Sequence, residues 1–430
     1  MADDNLQSSA KNSASLPSVG WSSEKVFSVL EEMRVDDIAW RDGRAFSLAY
    51  YAGAEAISVA EEAYRRFSGE NALSTDAFPS LRKIQSDVVA MVGKWLGATS
   101  ESESAGFMTS GGTESILMAV KAARDRLRAE RDITSPNIVL PTSAHAAFEK
   151  ACAYFEVESR RVDVNQEWRA DVGAMRSRVD QNTVLVVASA PQYPQGVIDD
   201  VTGIAALALE AKINCHVDAC MGGVTLAYLA QLGEDLPPWS LQVPGVSSIS
   251  VDLHKFGYTS KGASVIMYAS KYLRSFQGFV TDNWLGGLYA SSGALGTKSG
   301  GSMASAWAVM HHLGDDGYLR LTRQAREATL KLADTINSSE HYVLRAQPET
   351  TLICFGAKNP STLNVFAVAD ELWRHGWYID RQSPPDSLHC TVNAIHHDKI
   401  EPFVKDLELA TSVVLASNKT GDRGSYGTIN

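Results

Sequence analysis

Two short apolar runs, Ser248–Val251 and Ala263–Tyr268, flank a polar turn. Ile249 and Val251 in the first and Val265 and Ile266 in the second are β-branched, and both runs are bounded by breakers, so they read as buried strands. Lys255 sits just past the first. Upstream, strand-like runs alternate with segments of helical period: strands at Asn137–Pro141, Val157–Val162, Thr183–Ala188 and Ile213–Val217, and helices at Ala144–Phe155, Val172–Asp180 and Ile204–Ala211. This rhythm predicts an α/β fold, a mostly parallel sheet flanked by helices. Ligands of such sheets sit beyond the carboxyl ends of the strands. Asp218, Lys255 and the loop carrying Tyr193 all fall at such ends.

Helical spacing also marks Ser22–Met33, with Ser22 or Ser23 as N-cap, then Ala54–Phe67 and Leu81–Leu96. A Gly- and Ser-rich stretch, 286–301, precedes a long helical region, Ser302–Gly314 and Tyr318–Ile336. Tyr342–Phe355, Leu363–Gly376, Leu388–Val392 and Lys399–Ala416 read as strand, helix, strand, helix. The predicted organisation is a disordered arm (1–20), an N-terminal helical segment (21–78), a large domain (79–310), a small C-terminal α+β domain (311–416) and a loose tail (417–430).

Composition narrows the partners. The 430-residue chain carries a net charge of −11 with no basic block, which argues against nucleic acid or an anionic membrane as main partner. Five cysteines without paired spacing predict reduced thiols and a cytoplasmic setting. No zinc pattern appears. The first 20 residues lack the build of a signal peptide, and no apolar run approaches the roughly 18 residues of a membrane helix.

Candidate chemistry begins at Phe107-Met-Thr-Ser-Gly-Gly-Thr-Glu-Ser115, a glycine turn feeding a helix N-terminus. Free backbone N–H groups and the positive end of the helix dipole suit a phosphate there, with hydroxyls from Ser110 and Thr113. An ordinary helix cap is the competing reading. Lys255 at a strand end suits Schiff-base chemistry, since burial disfavours the charged amine, although an isolated lysine is more often a surface residue. Asp218 alone reads equally as a strand-end cap, and His145 as a core histidine.

In combination, these elements resemble fold-type-I pyridoxal-phosphate enzymes, their group II decarboxylase branch, and within it the sphingosine-1-phosphate lyases. The resemblance runs from about Tyr50 into the C-terminal domain. It is carried by Thr109-Ser-Gly-Gly-Thr-Glu-Ser-Ile-Leu-Met-Ala119, Ser143-Ala-His-Ala-Ala-Phe148, Pro191-Gln-Tyr-Pro-Gln-Gly-Val-Ile-Asp199, His216-Val-Asp-Ala-Cys-Met-Gly-Gly223, Asp252-Leu-His-Lys-Phe-Gly-Tyr-Thr-Ser-Lys-Gly262 and Asn283-Trp-Leu-Gly-Gly-Leu-Tyr-Ala-Ser291. It implies a seven-stranded-type sheet and pyridoxal 5'-phosphate as cofactor. Lys255 would hold the cofactor, Asp218 would keep its pyridine nitrogen protonated, and His145, on a helix, would stack on its ring. Gly111, Gly112, Thr113 and His254 would take its phosphate. Thr297 would reach that phosphate across the interface of an obligate homodimer with shared sites.

The same resemblance implies a second phosphate site for the substrate, at Tyr50, Asn71, Ser74, Lys261 and Tyr289. Lys261 also reads as a solvated surface lysine. Two segments depart from the family. A turn that usually reads Asn-Pro-Leu-His-Pro-Asp is here Asn71-Ala-Leu-Ser-Thr-Asp76, and Gly-Ser-Arg-Pro-Gly-Gly is here Gly296-Thr-Lys-Ser-Gly-Gly301. Ser74 thus replaces a histidine and Lys298 an arginine, near the expected phosphate pocket. The implied reaction is retro-aldol cleavage of a phosphorylated sphingoid base to a fatty aldehyde and phosphoethanolamine. Tyr193 would either transfer a proton or merely shape its loop, and Lys255 would reprotonate carbon. Decarboxylation of an amino acid on the same scaffold is the alternative. Eukaryotic relatives carry a membrane anchor before the catalytic part; no such segment is read here, and the expectation is a soluble, bacterial-type form that meets its lipid substrate from the cytosol.

Overall fold

Seven strands form the central sheet of this computed structural model, which describes residues 15–99, 101–417 and 419–424. They are β1 (Ala105–Thr109), β2 (Asn137–Pro141), β3 (Glu158–Val162), β4 (Thr183–Ser189), β5 (Asn214–Asp218), β6 (Ser248–Val251) and β7 (Ser264–Tyr268). Their order is β1-β7-β6-β5-β4-β2-β3. The pairs β2–β3, β2–β4, β4–β5 and β5–β6 are parallel, while β7 runs antiparallel to both β1 and β6. The predicted α/β class and mostly parallel sheet are therefore present, with one reversed strand. All seven residues of β4 are buried, as expected for a strand covered by helices on both faces.

Two compact units divide the chain, residues 1–39 and 40–430. In the first, Ser23–Met33 is a helix capped by Ser22, whose hydroxyl accepts from the Lys25 N–H at 3.3 Å. Residues 1–14 of the expected arm and 425–430 of the tail lie outside the described residues. In the second unit, a 38-residue helix, Gly301–Ser338, breaks at Gly314 (φ 59°), where the pattern had suggested two helical stretches. A four-stranded antiparallel sheet follows, ordered β10-β11-β13-β12. Its strands are β10 (Tyr342–Leu344), β11 (Leu352–Ala357), β12 (Asp380–Gln382) and β13 (Ser387–Thr391), so the single strand expected over 342–355 is two. Leu332, Phe355, Val368, Leu388 and Phe403 belong to the apolar cluster of this part.

Elements beyond the sequence reading include strand β1, the helices Thr225–Gln231 and Lys271–Ser275, strand β12, and a hairpin of β8 (Phe279–Thr281) with β9 (Tyr289–Ser291). One expectation shifts. The helix predicted from Ala144 begins at Ala147, so His145 precedes it. The His145 Nδ1 accepts from the Ala147 N–H at 3.1 Å, at the turn from which the helix starts.

Candidate active site

A cavity of about 330 Å³ opens at the carboxyl ends of β4, β5 and β6, lined by Ser110, Gly111, Gly112, Thr113, His145, Tyr193, Asp218, Cys220, Met221, Asp252, His254 and Lys255 among others. The parallel register aligns Ser189, Asp218 and Ser250 in one row. Asp218 Oδ1 accepts from the Cys220 N–H at 3.0 Å and from Ser250 Oγ at 3.3 Å. Behind it, His216 lies 2.8 Å from Ser248 Oγ through Nδ1 and 3.2 Å from Ser250 Oγ through Nε2. Burial pushes the His216 pKa down to about 4, so this support for Asp218 is a neutral ring.

Past β6 the chain turns back on itself. Lys255 Nζ lies 3.0 Å from Asp252 Oδ2, and His254 Nε2 lies 3.6 Å from the same oxygen. Asp252 is 2 % exposed. Burial alone would raise its pKa, but the charges of Lys255 and then His254 outweigh that and hold the carboxyl below its usual range. Its other oxygen, Oδ1, has no hydrogen-bond partner among the described residues. His145 is kept neutral chiefly by burial, with Lys255 assisting and Asp218 opposing.

The glycine turn explains itself by contact. A Cβ on Gly112 would lie 2.7 Å from both Asp252 Oδ2 and Cys220 Sγ, and one on Gly111 would lie 3.3 Å from His254 Cε1. Gly112 opens a 20-residue helix, whose N-terminal N–H groups and dipole face a cavity that no side chain fills at that point. Glu114 fixes the turn: its Oε2 accepts from the Ser110 N–H at 2.6 Å and its Oε1 from the Ala294 N–H at 2.8 Å. An amine, a buried carboxylate, a neutral imidazole and a side-chain-free helix terminus fit pyridoxal phosphate.

Tyr193 enters from the loop between β4 and the next helix. Asp199 anchors that loop by accepting from Ala170 N–H at 2.7 Å and Ser189 N–H at 2.8 Å, and burial pushes its pKa up to about 6. The Tyr193 hydroxyl donates to Asp380 Oδ2, and its ring centroid lies 4.1 Å from that of His389. Neither Asp380 nor His389 was foreseen. Nothing in a lone acidic residue of a short polar strand signals a partner so distant in sequence.

The six further candidates do not line the cavity of this chain. Lys261 and Tyr50 are together: Nζ stands 5.1 Å from the Tyr50 ring and donates to the Leu48 carbonyl at 2.7 Å. Although the Lys261 side chain is largely exposed, its ammonium folds inward. Burial there, and then the Lys255 charge, push its pKa down to about 8. Tyr50 reaches the cavity wall through Met221 Sδ, 3.9 Å from its hydroxyl. Asn71 and Thr297 form a second group, Nδ2 to Oγ1 at 3.4 Å. Ser74 is exposed nearby in sequence, and Tyr289 lies on β9, its ring 6.2 Å from Trp284. Lys298 turns inward, donating to the Met108 carbonyl at 2.9 Å with Nζ 4.4 Å from the Phe107 ring. It braces β1 rather than joining Lys261.

The pyridoxal-dependent decarboxylase conserved domain matches residues 14–358. Sphingosine-1-phosphate lyases of Arabidopsis thaliana and Rattus norvegicus are each 36% identical over 96% of this chain, which covers 77% and 72% of their lengths. A sphingosine-1-phosphate lyase structure from Burkholderia pseudomallei superposes with a TM-score of 0.88 at 33% identity, over 95% of this chain and 94% of that one. The chain belongs to the sphingosine-1-phosphate lyase family of pyridoxal-dependent enzymes. Like that family it is a pyridoxal-phosphate-dependent carbon–carbon lyase. A Lactobacillus brevis glutamate decarboxylase shares the fold at a TM-score of 0.82 and 19% identity. Among the described residues no helix is long and apolar enough to cross a membrane.

Proposed function

We propose that this chain cleaves the Cα–Cβ bond of a phosphorylated long-chain amino alcohol, of the sphingosine 1-phosphate type, to a fatty aldehyde and phosphoethanolamine. The observation that carries the reading is the cationic Lys261–Tyr50 pair standing beside the loop of Lys255, in a chain akin to lyases of this substrate. Bound pyridoxal phosphate supplies an electron sink at the amino-bearing carbon. Lys255 would hold it covalently and return a proton to that carbon. Asp218, fixed by Ser250 and the Cys220 N–H, keeps a proton at the pyridine nitrogen. His145, uncharged, would pack on the cofactor ring. Gly111, Gly112, Thr113 and His254 bind the cofactor phosphate, while Lys261 and Tyr50 orient the substrate phosphate. Tyr193 removes the proton from the carbinol oxygen.

Asn71, Ser74, Tyr289 and Thr297 join the site, in this reading, from a second copy of the chain. Support comes from the apolar residues exposed beside Tyr289: Phe279, Val280, Trp284, Leu285 and Leu288 are 54, 65, 60, 107 and 74 % exposed. So large a patch on one surface calls for a partner, and a homodimer supplies it. Five free cysteines, all buried, support a cytoplasmic setting.

Product analysis tests the reaction. Purified protein with pyridoxal phosphate is incubated with a phosphorylated sphingoid base, and aldehyde and phosphoethanolamine are quantified. A probable L-tyrosine/L-aspartate decarboxylase of Methanothermobacter thermautotrophicus is also 32% identical over 81% of the chain. Amino acids are therefore assayed in parallel. Carbon dioxide release without aldehyde rejects the lyase reading in favour of decarboxylation.

A further inference from the structure

We propose that Asp380, from the C-terminal sheet, is a positioning residue that orients the hydroxyl proton of Tyr193 and accepts it as the substrate bond breaks. The inference rests on the lyase reading, because it requires a carbinol proton to remove.

Tyr193 lines the cavity that holds Lys255. Its hydroxyl donates to Asp380 Oδ2. A phenol has a single proton, so with that proton committed to the carboxylate its oxygen meets a ligand in the cavity as an acceptor. Asp380 is 6 % exposed and opens β12, where it pairs in register with His389 of β13. His389 is wholly buried, and its ring packs on Tyr193. Its Nδ1 lies 3.3 Å from the Pro194 carbonyl, which can only accept, so Nδ1 carries the hydrogen. Its Nε2, 3.0 Å from Thr391 Oγ1, is then the acceptor. Both ring nitrogens are thus engaged, and burial keeps the ring neutral. It holds the tyrosine in place without competing for the Asp380 charge.

This resolves a chemical difficulty. A phenol with an ordinary pKa near 10 is a poor base. Paired with a carboxylate, it takes the carbinol proton on one side while passing its own to Asp380 on the other, and no phenolate accumulates. The O–H electron pair becomes the second bond of the aldehyde. The pair of the broken Cα–Cβ bond stays on the amino-bearing carbon, which gains a proton in turn. One proton leaves oxygen and one reaches carbon, so the step balances. A carboxylate from the C-terminal domain thereby acts on a bond broken beside the large sheet.

The test uses the cofactor-loaded enzyme and the variants Asp380→Asn, Tyr193→Phe and their double. Asn keeps an oxygen to accept the phenol but is a far weaker proton acceptor. Aldehyde kcat is expected to fall about 10²- to 10⁴-fold in each single variant, with KM within about threefold and the cofactor absorbance unchanged. The double is expected to be no slower than the slower single variant, since the two act as a unit. Independently of turnover, the ¹³Cζ resonance of Tyr193, assigned by its loss in Tyr193→Phe, shifts in Asp380→Asn. Wild-type kcat in either single variant overturns the proposal, as does a loss confined to KM, or a double falling by the product of the singles. If Asp380→Asn fails to fold, Tyr193→Phe and the carboxylate-retaining Asp380→Glu decide, and Asp380→Glu must keep more kcat than Tyr193→Phe. A wild type that releases no aldehyde removes the lyase reading and this inference with it. An active wild type beside an indifferent Asp380→Asn removes the inference alone.

Discussion

Lys255 Nζ lies 3.0 Å from the Oδ2 of Asp252, three residues back on the same turn. The two are coupled partners in a site where Asp252 has almost no solvent. Removing the amine therefore does two things. Lys255→Ala abolishes turnover and the cofactor adduct trapped by borohydride. It also strands a buried carboxylate, at a cost of roughly 3 kcal/mol in the cofactor-free protein. Adding Asp252→Asn returns most of that stability and none of the turnover. Urea titration of the three proteins measures the first effect, and intact mass after borohydride the second. A single variant as stable as the wild type would show that the pair contributes nothing to the fold.

Lys261 is placed to sense pH. Its ammonium pKa is pushed down to about 8, first by burial and then by Lys255. Only the charged form attracts a phosphate strongly, so KM for the phosphorylated substrate rises as pH climbs through about 8. Lys261→Arg, which stays charged, removes the rise. Lys261→Ala raises KM at least about tenfold below pH 8 and flattens the profile. Steady-state kinetics between pH 6.5 and 9.5 decide, and an alkaline rise that persists in both variants takes Lys261 out of the phosphate site.

What could be read in advance follows a physical rule. Lys255 and Asp218 were legible as residues at strand ends, where ligand sites of such sheets form, and both line the cavity. The glycine turn was legible because two glycines precede a helical segment, and the structure adds that a Cβ on Gly112 would strike Asp252 and Cys220. Asp252 itself reads as a polar turn residue. Its burial comes from a helix terminus 140 residues upstream in the sequence, and no local pattern encodes that. His145 was placed on a helix because the apolar period of 144–155 runs through it, but its ring captures the Ala147 N–H and delays the helix. Strand β12 is Asp-Arg-Gln, without alternation or β-branched residues, and exists by pairing with β13. The hairpin of β8 and β9 hides in a glycine-rich segment, where register is weakly specified by side chains.

Three buried histidines make the fold sensitive to acid. Burial pushes His216 and His389 down to about 4 and His396 to about 3. A ring whose folded pKa lies below the unfolded value near 6.5 is protonated first in the unfolded chain. Its contribution is complete above that value and is lost as pH falls toward 4, at about 1–2 kcal/mol per ring by pH 5. Asp199, pushed up to about 6, works in the opposite direction but is one group against three. The urea midpoint is therefore lower at pH 5 than at pH 7.5. His396→Gln, whose amide does not titrate, lowers stability but shallows the pH slope. A midpoint that rises on acidification contradicts the neutral assignment.

Glu114 ties the cofactor turn to the segment that carries Thr297. Its two oxygens accept from Ser110 N–H and Ala294 N–H, and the residue is 5 % exposed. Both partners are donors, so Glu114→Gln must turn an NH₂ toward one of them. An unsatisfied buried N–H costs about 1–3 kcal/mol. Ser110 lies next to Gly111, so an NH₂ turned toward it puts the loss on the proposed phosphate cradle as well as on stability. Absorbance titration of the cofactor-free variant is expected to give a Kd for pyridoxal phosphate about tenfold weaker, with the far-ultraviolet circular dichroism unchanged. Glu114→Asp, a methylene shorter, cannot span both donors and weakens binding in the same direction. Cofactor affinity that stays at the wild-type level while thermal stability drops would confine Glu114 to holding the 290s segment, with no hand in shaping the turn.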